Sequence, residues 1–158
     1  MSLYGSSTNL DYMITVATPE EMFALGVKIG QLLQPGDLLL LNGSLGAGKT
    51  LLTQGIASAL GISGVTSPTF VISKIHPGKI PLIHVDAYRL LQSDNPNLFL
   101  DDLDLDSERE GAVTVIEWGG AESARLSEER LEIFIDRTHE ERKVTFTAHG
   151  ARWGGFSL

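Results

Sequence analysis

The chain has 158 residues, of which 42% are apolar, and this is enough for one domain with a buried core but not for two large domains. Twelve Lys and Arg side chains against twenty Asp and Glu give a net charge of −8, so the surface repels nucleic-acid phosphates and we expect no direct tight binding of RNA or DNA. The chain has no cysteine, which excludes disulfides and thiolate metal sites, and no apolar run approaches the ~20 residues of a membrane helix, so we expect no membrane association and a cytoplasmic protein.

Small polar residues dominate the start of the chain, and we expect residues 1–10 to be a disordered tail or a remnant of an expression vector. The remaining residues, 11–158, then form a single domain. Residues 13–17 are compatible with a short strand. Thr18, Pro19 and Glu21 follow as an N-cap, a proline in the first turn and a capping-box glutamate, which predicts the start of a helix.

Apolar residues at helical spacing predict that this first helix buries one face and continues until residues 35–37 stop it; they are Met22, Leu25, Ile29 and Leu32. Four consecutive leucines at residues 38–41 follow, and an unbroken apolar run is typical of a strand buried on both faces of a parallel sheet. A glycine-rich loop leads from this strand into a second helix over residues 49–60. Gly61 is suited to end that helix in the left-handed conformation.

The second half of the chain predicts further strands. Residues 69–73 and 80–85 indicate an antiparallel hairpin, residues 112–118 a buried strand, and residues 131–136 and 143–147 a terminal hairpin. The acidic stretch 91–111 is interpreted as a loop with a short amphipathic helix. Together these elements predict an α/β fold with a mixed, mostly parallel sheet flanked by helices.

The loop between the leucine strand and the second helix carries the pattern G-x-x-x-x-G-K-[ST] of the P-loop NTPases. Glycines let backbone N–H groups approach phosphate oxygens, and the following helix presents its positive N-terminus to the anion. The Lys49 amine would reach the β- and γ-phosphates, and the Thr50 hydroxyl would bind Mg²⁺. We therefore predict a P-loop NTPase domain that binds ATP and Mg²⁺. The predicted nucleotide contacts are Gly43, Ser44, Leu45, Gly46, Ala47, Gly48, Lys49, Thr50 and Leu51.

Two carboxylates follow strand-like runs and are candidate magnesium ligands beside Thr50. Asp86 ends the run 81–86, and Glu117 ends the run 113–117. The carboxyl edge of a parallel sheet is where such acids face bound phosphates. A solvated carboxylate after a strand would have the same pattern, so the residues alone leave both interpretations open.

The sequence also bears on other classes of nucleotide-binding protein. A GTPase is disfavoured, because neither D-x-x-G nor N-K-x-D occurs in the chain. A small-molecule kinase would use Arg125 and Arg130 as lid arginines, although Glu128 and Glu129 between them favour a solvated turn. A nucleotide-gated binding module without catalysis is the third hypothesis.

Four segments occur in a set order across most of the domain: LGAGKT at residues 45–50, SPTF at 67–70, HVDAYRL at 84–90 and IEW at 116–118. Together they resemble the TsaE-type ATPases, a component of the bacterial machinery that makes threonylcarbamoyladenosine in tRNA. The resemblance implies slow ATP hydrolysis that is coupled to partner proteins. Those partners are the two related protein subunits of the threonylcarbamoyl transferase complex, and this chain would supply turnover or product release.

The resemblance also implies roles for individual residues. Thr69 would act as a switch residue near the γ-phosphate, Asp86 would assist Mg²⁺ or the attacking water, and Glu117 would complete a catalytic set with Lys49. Trp118 would stack near the nucleotide or a partner, or pack in the protein.

Tyr88 and Arg89 match the family pattern and are candidates either for partner contacts or for surface packing, while His84 is expected to pack or to hydrogen-bond within its strand. The chain departs from the family where it has Ser44 instead of Asp, Leu51 instead of Thr, and two glycines at residues 119–120 instead of Pro-Glu. These departures remove no phosphate or metal ligand.

Overall fold

The computed structural model of the chain describes residues 10–44, 46–65, 73–86, 110–117 and 128–158. The hypotheses for residues 1–9 and for the acidic stretch up to residue 109 lie outside the described residues. No helix in these ranges is long and apolar enough to cross a membrane. The elements, in chain order, are β1 (Leu10–Val16), α1 (Pro19–Gly30), β2 (Leu38–Gly43), α2 (Lys49–Ala59), β3 (Ser73–His76), β4 (Leu82–Asp86), β5 (Val113–Glu117), β6 (Arg130–Asp136) and β7 (Arg142–His149).

The described strands form one mixed sheet in the order β1-β7-β6-β2-β5-β4-β3. Its centre is parallel, because β2 pairs in parallel with both β5 and β6, and β5 pairs in parallel with β4. Both edges are antiparallel, since β3 pairs with β4 and β7 pairs with both β6 and β1. The predicted α/β fold with a mixed sheet is confirmed, and so is the terminal hairpin, which is formed by β6 and β7. The other antiparallel pair differs from its prediction, because β3 (Ser73–His76) lies where the turn 74–79 was predicted. Most of the strand predicted over 69–73 lies outside the described residues.

The first helix begins as its sequence predicts. The Thr18 side chain accepts a hydrogen bond from the Glu21 N–H at 3.1 Å, with Pro19 in the first turn. The Glu21 carboxylate reaches back to the Ala17 N–H at 2.7 Å, one residue before the usual capping-box donor. These bonds fix the chain where β1 passes into α1.

The predicted end of the first helix is wrong. Helix α1 ends at Gly30, and Leu32, predicted to be buried, is 44% exposed. The N–H groups of Leu32 and Leu33 bond three residues back, to Ile29 and Gly30, which winds the last turn more tightly than an α-helix. This winding turns Leu33 into the core in place of Leu32.

The main core lies between one face of the sheet and the two described helices. Met22 and Ile29 of α1 and Leu52 and Ile56 of α2 belong to the same buried cluster as the residues of that sheet face. The sheet residues of the cluster include Leu39, Leu41, Val113, Val115, Leu131, Ile133 and Phe146. All of β5 and the four leucines of β2 are buried, as the apolar runs predict. Strand β2 therefore provides a rigid support for the loop that follows it.

Candidate functional site

The P-loop connects the carboxyl end of β2 to the first residue of α2. Gly46 and Gly48 have φ angles of +78° and +116°, in the left-handed region that favours glycine. The Ala47 N–H donates to the Ser44 carbonyl at 3.0 Å, which closes a tight turn. The predicted phosphate contacts thus extend from the end of β2 through this turn to the start of α2. Leu45 lies outside the described residues.

Lys49 is the first residue of α2, and it is 6% exposed. Its Nζ donates to the carbonyl oxygens of Gly43 at 2.6 Å and Ser44 at 3.1 Å. A buried ammonium requires such acceptors, because its desolvation is costly. The contacts hold a positive charge directly against the loop, where a phosphate group would need it.

Helix α2 points its N-terminus at the same loop. Its N-cap residue is Gly48, which makes no side-chain capping bond, and Thr50 lies half-buried in the first turn. At the other end Gly61, with φ +77°, donates to Ser58, and Ile62 donates to Ala57, so the helix ends in the predicted left-handed glycine motif. Both ends of α2 therefore match their sequence prediction, and its dipole favours an anion at the loop.

Two of the predicted acids lie at the carboxyl edge of the neighbouring strands. Asp86 is the last residue of β4 and Glu117 the last of β5, and the two are direct register partners. Glu117 is also paired with Leu41 of β2, two residues before Gly43. The strands thus place Glu117 next to β2, and Asp86 one strand further away at the same edge of the sheet. The side chain of Asp86 lies outside the described part of the chain, as do Thr69, Tyr88, Arg89 and Trp118.

Glu117 is 5% exposed and is held by a histidine from the adjacent strand. Nε2 of His84, a fully buried residue of β4, lies 2.5 Å from the Glu117 Oε2 atom. His84 is in register with Val115, and Glu117 comes two residues later in the same strand as Val115. Because side chains alternate between the faces of a sheet, His84 and Glu117 lie on the same face, with Glu117 nearer the carboxyl edge. The sequence predicted a hydrogen bond or packing for His84 within its strand, but it did not identify this partner.

Two arginines near the loop were missed by the sequence analysis. Arg142, at the start of β7, donates from Nε to the Ala47 carbonyl at 3.3 Å. Arg137, in the turn between β6 and β7, lies so close to Gly46 that a Cβ there would meet its Nη1 at 2.6 Å. The predicted terminal hairpin could have indicated both arginines. Its turn lies next to the P-loop, because β6 pairs in parallel with β2 and Ile135 is in register with Gly43.

The turn that carries Arg137 is fixed by Asp136. The Thr138 N–H donates to Oδ1 of Asp136 at 2.8 Å. This bond, with the Thr138 hydroxyl, lowers the pKa of the Asp136 carboxyl below its ordinary value of 3.8. Asp136 therefore stays ionised and keeps the turn closed beside Gly43, which is in register with Ile135.

A cavity of about 250 Å³ opens beside the P-loop. One wall is the start of α1, with Pro19 and Met22, and the other includes Leu51 and Arg142. The remaining lining residues are Ala17, Thr18, Gly46, Ala47 and Gly48. The cavity thus combines mainly apolar walls with one guanidinium group, next to the phosphate-binding turn.

The lid-arginine hypothesis gains no support from Arg130. Its Nε donates to Glu132 Oε2 at 2.8 Å, and it lies at the amino end of β6, opposite the edge that carries the P-loop. Arg125 lies outside the described residues. Across the described ranges no group of three or more His, Cys, Asp or Glu side chains could hold a metal ion.

Comparison with known proteins identifies the family. The sequence profile of the family "Threonylcarbamoyl adenosine biosynthesis protein TsaE" matches residues 16–144. The tRNA threonylcarbamoyladenosine biosynthesis protein TsaE of Streptomyces coelicolor is 47% identical over 141 residues, which cover 84% of this chain and 93% of that protein. The TsaE protein of Bacillus subtilis is 42% identical over 139 residues, covering 85% and 84% of the two chains.

A solved structure agrees with these relatives. The crystal structure of YdiB from Bacillus subtilis superposes with a TM-score of 0.72 at 37% identity, covering 93% of this chain and 90% of that one. The ordered motifs, the P-loop at the edge of a mixed sheet and the profile match agree with one another. The chain therefore belongs to the TsaE family of tRNA threonylcarbamoyladenosine biosynthesis proteins.

Proposed function

We propose that the chain binds ATP with Mg²⁺ and hydrolyses it, and that this cycle serves tRNA threonylcarbamoyladenosine formation through partner transferase subunits in the cytoplasm. The observation that carries the proposal is the Lys49 ammonium, buried and held 2.6 Å from the Gly43 carbonyl inside the P-loop. The loop also lies at the N-terminus of α2, so amine and helix dipole favour an anion at one point.

The residues present are suited to a magnesium nucleotide. Gly46 and Gly48 have the positive φ angles that a glycine-rich loop uses to turn its backbone N–H groups toward phosphate oxygens. Mg²⁺ takes few protein ligands and keeps several waters, so a hydroxyl and one or two carboxylates are sufficient. Thr50, Asp86 and Glu117 would hold the ion, which would neutralise charge on the phosphates when bound.

Side chains of this protein would perform the other steps of ATP hydrolysis. The Lys49 ammonium would move from the loop carbonyls to the phosphate oxygens, where charge develops during hydrolysis. Glu117, or Asp86 beside it, would orient the attacking water and accept its proton. Thr69 would contact the γ-phosphate, as the family resemblance implies.

The cavity beside the loop is the proposed site of the nucleoside. Met22, Pro19 and Leu51 would provide apolar contacts for the faces of the base, and the Arg142 guanidinium would lie close to it. Trp118 is a further candidate for stacking, as the resemblance implies. The chain has none of the guanine-recognition sequence N-K-x-D, which favours adenine.

The proposed coupling to protein partners is supported by the family and by charge. The named relatives are proteins of tRNA threonylcarbamoyladenosine biosynthesis. This chain has a net charge of −8, which disfavours direct binding to tRNA. Contact with the tRNA would therefore belong to the transferase subunits. This chain would supply ATP-driven turnover or product release.

The experiment compares the wild-type chain with Lys49→Ala and the control Lys28→Ala, which removes an exposed lysine from the last turn of α1. Calorimetry with Mg²⁺ should detect ATP binding by the wild type and Lys28→Ala, and about 10- to 150-fold weaker binding by Lys49→Ala, in line with the ~1.5–3 kcal/mol of a lost hydrogen bond to a charged group. Undiminished binding by Lys49→Ala would refute the proposed site.

Phosphate release distinguishes the three functional hypotheses. We expect release from ATP without an acceptor, increased by the transferase subunits and lost in Lys49→Ala. ADP formation that requires a small acceptor would indicate a kinase instead. ATP-dependent assembly with no phosphate release, even with partners present, would indicate a nucleotide-gated binding module.

A further inference from the structure

We propose that His84 is a positioning residue for hydrolysis, which fixes Glu117 by donating a hydrogen bond from Nε2 to Oε2. The inference rests on the proposed function, since it assigns a role within the same site. Nothing in the family motif alone distinguishes this role from packing. The argument for it comes from burial, register and the hydrogen-bonding state of the imidazole.

The burial of both groups makes the contact necessary. His84 has no exposed surface and Glu117 is 5% exposed, and their side chains are 2.5 Å apart. A carboxylate removed from water without a donor is strongly destabilised, and charge-assisted bonds of this kind are short and strong. The histidine therefore satisfies one carboxylate oxygen in a place that water hardly reaches.

The chemistry of the two groups indicates which way the bond runs. A carboxylate can only accept hydrogen bonds, so the ring nitrogen that faces it must carry the proton. Nδ1 of His84 is buried and has no hydrogen-bond partner in the described part of the structure, so no other group there orients the ring. His84 therefore donates from Nε2 to Oε2 of Glu117.

The direction of the bond has a consequence for the site. With Oε2 occupied by His84, the Glu117 carboxylate is held in one orientation, and Oε1 would be the atom that accepts from the attacking water. Orientation of that water is one part of the protein's contribution to phosphoryl transfer, beside electrostatic stabilisation of the phosphates. His84 would thus act on the rate of hydrolysis and much less on nucleotide affinity.

A second histidine–glutamate pair offers a control away from the proposed site. His149 Nε2 lies 2.7 Å from Glu132 Oε2 without the geometry of a hydrogen bond, and both side chains are partly exposed. His149 is in register with Arg130 at the amino end of β6, away from the P-loop. Its substitution shows whether the loss of an imidazole elsewhere in the sheet affects hydrolysis.

The test measures ATP affinity by calorimetry and single-turnover phosphate release with the transferase subunits for His84→Leu, His84→Gln and His149→Leu. His84→Leu should lower the hydrolysis rate about 10- to 100-fold, as for other outer-shell partners, with the Kd for ATP within 3-fold of wild type. His84→Gln, whose amide can replace Nε2–H, should restore most of the rate. His149→Leu should hydrolyse at the wild-type rate.

A double variant checks that His84 acts through Glu117. In a Glu117→Gln background, adding His84→Leu should cause less than a 3-fold further loss, because the group that it positions is already gone. The inference is overturned if His84→Leu keeps the wild-type rate, if its loss is undiminished in that background, or if the Gln variant is as slow as the Leu variant. If the wild type itself releases no phosphate, the proposed function fails first.

Discussion

At the scale of single residues, Gly46 shows how the loop depends on the absence of a side chain. Its φ of +78° is a conformation that costs other residues about 1–2 kcal/mol. The position also faces Arg137, whose Nη1 would lie 2.6 Å from an added Cβ. An arginine side chain can move away from such a contact, so the clash should displace the guanidinium and not unfold the loop.

We predict that Gly46→Ala lowers ATP affinity at least 10-fold, because the methyl group enters the phosphate-binding turn and displaces Arg137. Gly61→Ala is the matched control, since Gly61 has nearly the same φ, +77°, but open space around it. Both variants should lose about 1 kcal/mol of unfolding free energy, and only Gly46→Ala should lose affinity. Urea denaturation and calorimetry measure the two quantities; equal affinities would contradict the prediction.

Sequence reasoning reached those site residues that lie inside local patterns. Lys49 belongs to the P-loop motif, and Asp86 and Glu117 each end an apolar run, so their positions at one sheet edge followed from the parallel pairing. The partners of these residues did not follow. His84 and Glu117 are 33 residues apart, and Arg142 and Ala47 are 95 apart, so their contacts exist only once the order of the strands is known.

At the scale of elements, helices α1 and α2 cross with their backbones in close contact. Gly26 and Gly55 face each other at the crossing. A Cβ added to Gly55 would lie 3.0 Å from the Gly26 Cα atom and 2.2 Å from the Phe23 carbonyl oxygen. A glycine in a helix interior costs about 1 kcal/mol in propensity, so its presence here reflects packing. The close approach keeps Met22 against the Gly48 corner of the P-loop.

We predict that Gly55→Ala destabilises the protein by about 1–3 kcal/mol despite its better helix propensity, because backbone atoms cannot yield as a side chain can. The control is Gly111→Ala, the same change where nothing lies within 4 Å and φ is not positive. That control should change the unfolding free energy by less than about 0.5 kcal/mol. Thermal or urea unfolding measures both changes in unfolding free energy. A Gly55→Ala variant as stable as the wild type would contradict the prediction, because it would show that the two helices can move apart without a loss of stability.

The elements themselves were largely predictable, with two errors. The capping residues around Thr18, the leucines of β2 and the strands of the terminal hairpin followed from local chemistry and agree with the structure. The first hairpin was misplaced, because β3 occupies residues that were predicted to form its turn. The end of α1 was also misplaced, since Leu32 continues the helical spacing of apolar residues. The tight last turn around Gln31 decides instead which leucine faces the core, and periodicity carries no information about such a turn.

At the scale of the whole molecule, strand β2 links two different structures at its ends. Its carboxyl end carries the P-loop, and at its amino end the Asp37 carboxylate, 5% exposed, accepts two bonds from Arg152 at 2.9 and 2.8 Å. Arg152 also donates to the Leu32 carbonyl and lies 4.2 Å from the centre of the Trp153 ring. Arg152 and Trp153 lie beyond residue 144, where the family profile ends. The length of β2, about 20 Å, separates their contacts with Asp37 and Leu32 from the nucleotide site.

A substitution at the amino end of β2 should therefore lower stability without changing ATP binding at the carboxyl end. We predict that Arg152→Ala lowers the unfolding free energy by about 3 kcal/mol, because it leaves a buried carboxylate without its cation, while ATP affinity stays within 2-fold of wild type. The double variant Asp37→Ala with Arg152→Ala should lose less than the sum of the two single losses, since both remove the same ion pair. Urea unfolding of all four proteins gives the coupling, and calorimetry gives the affinity. A fall in affinity that matches the fall in stability would mean that the amino end of β2 and the P-loop are energetically one unit.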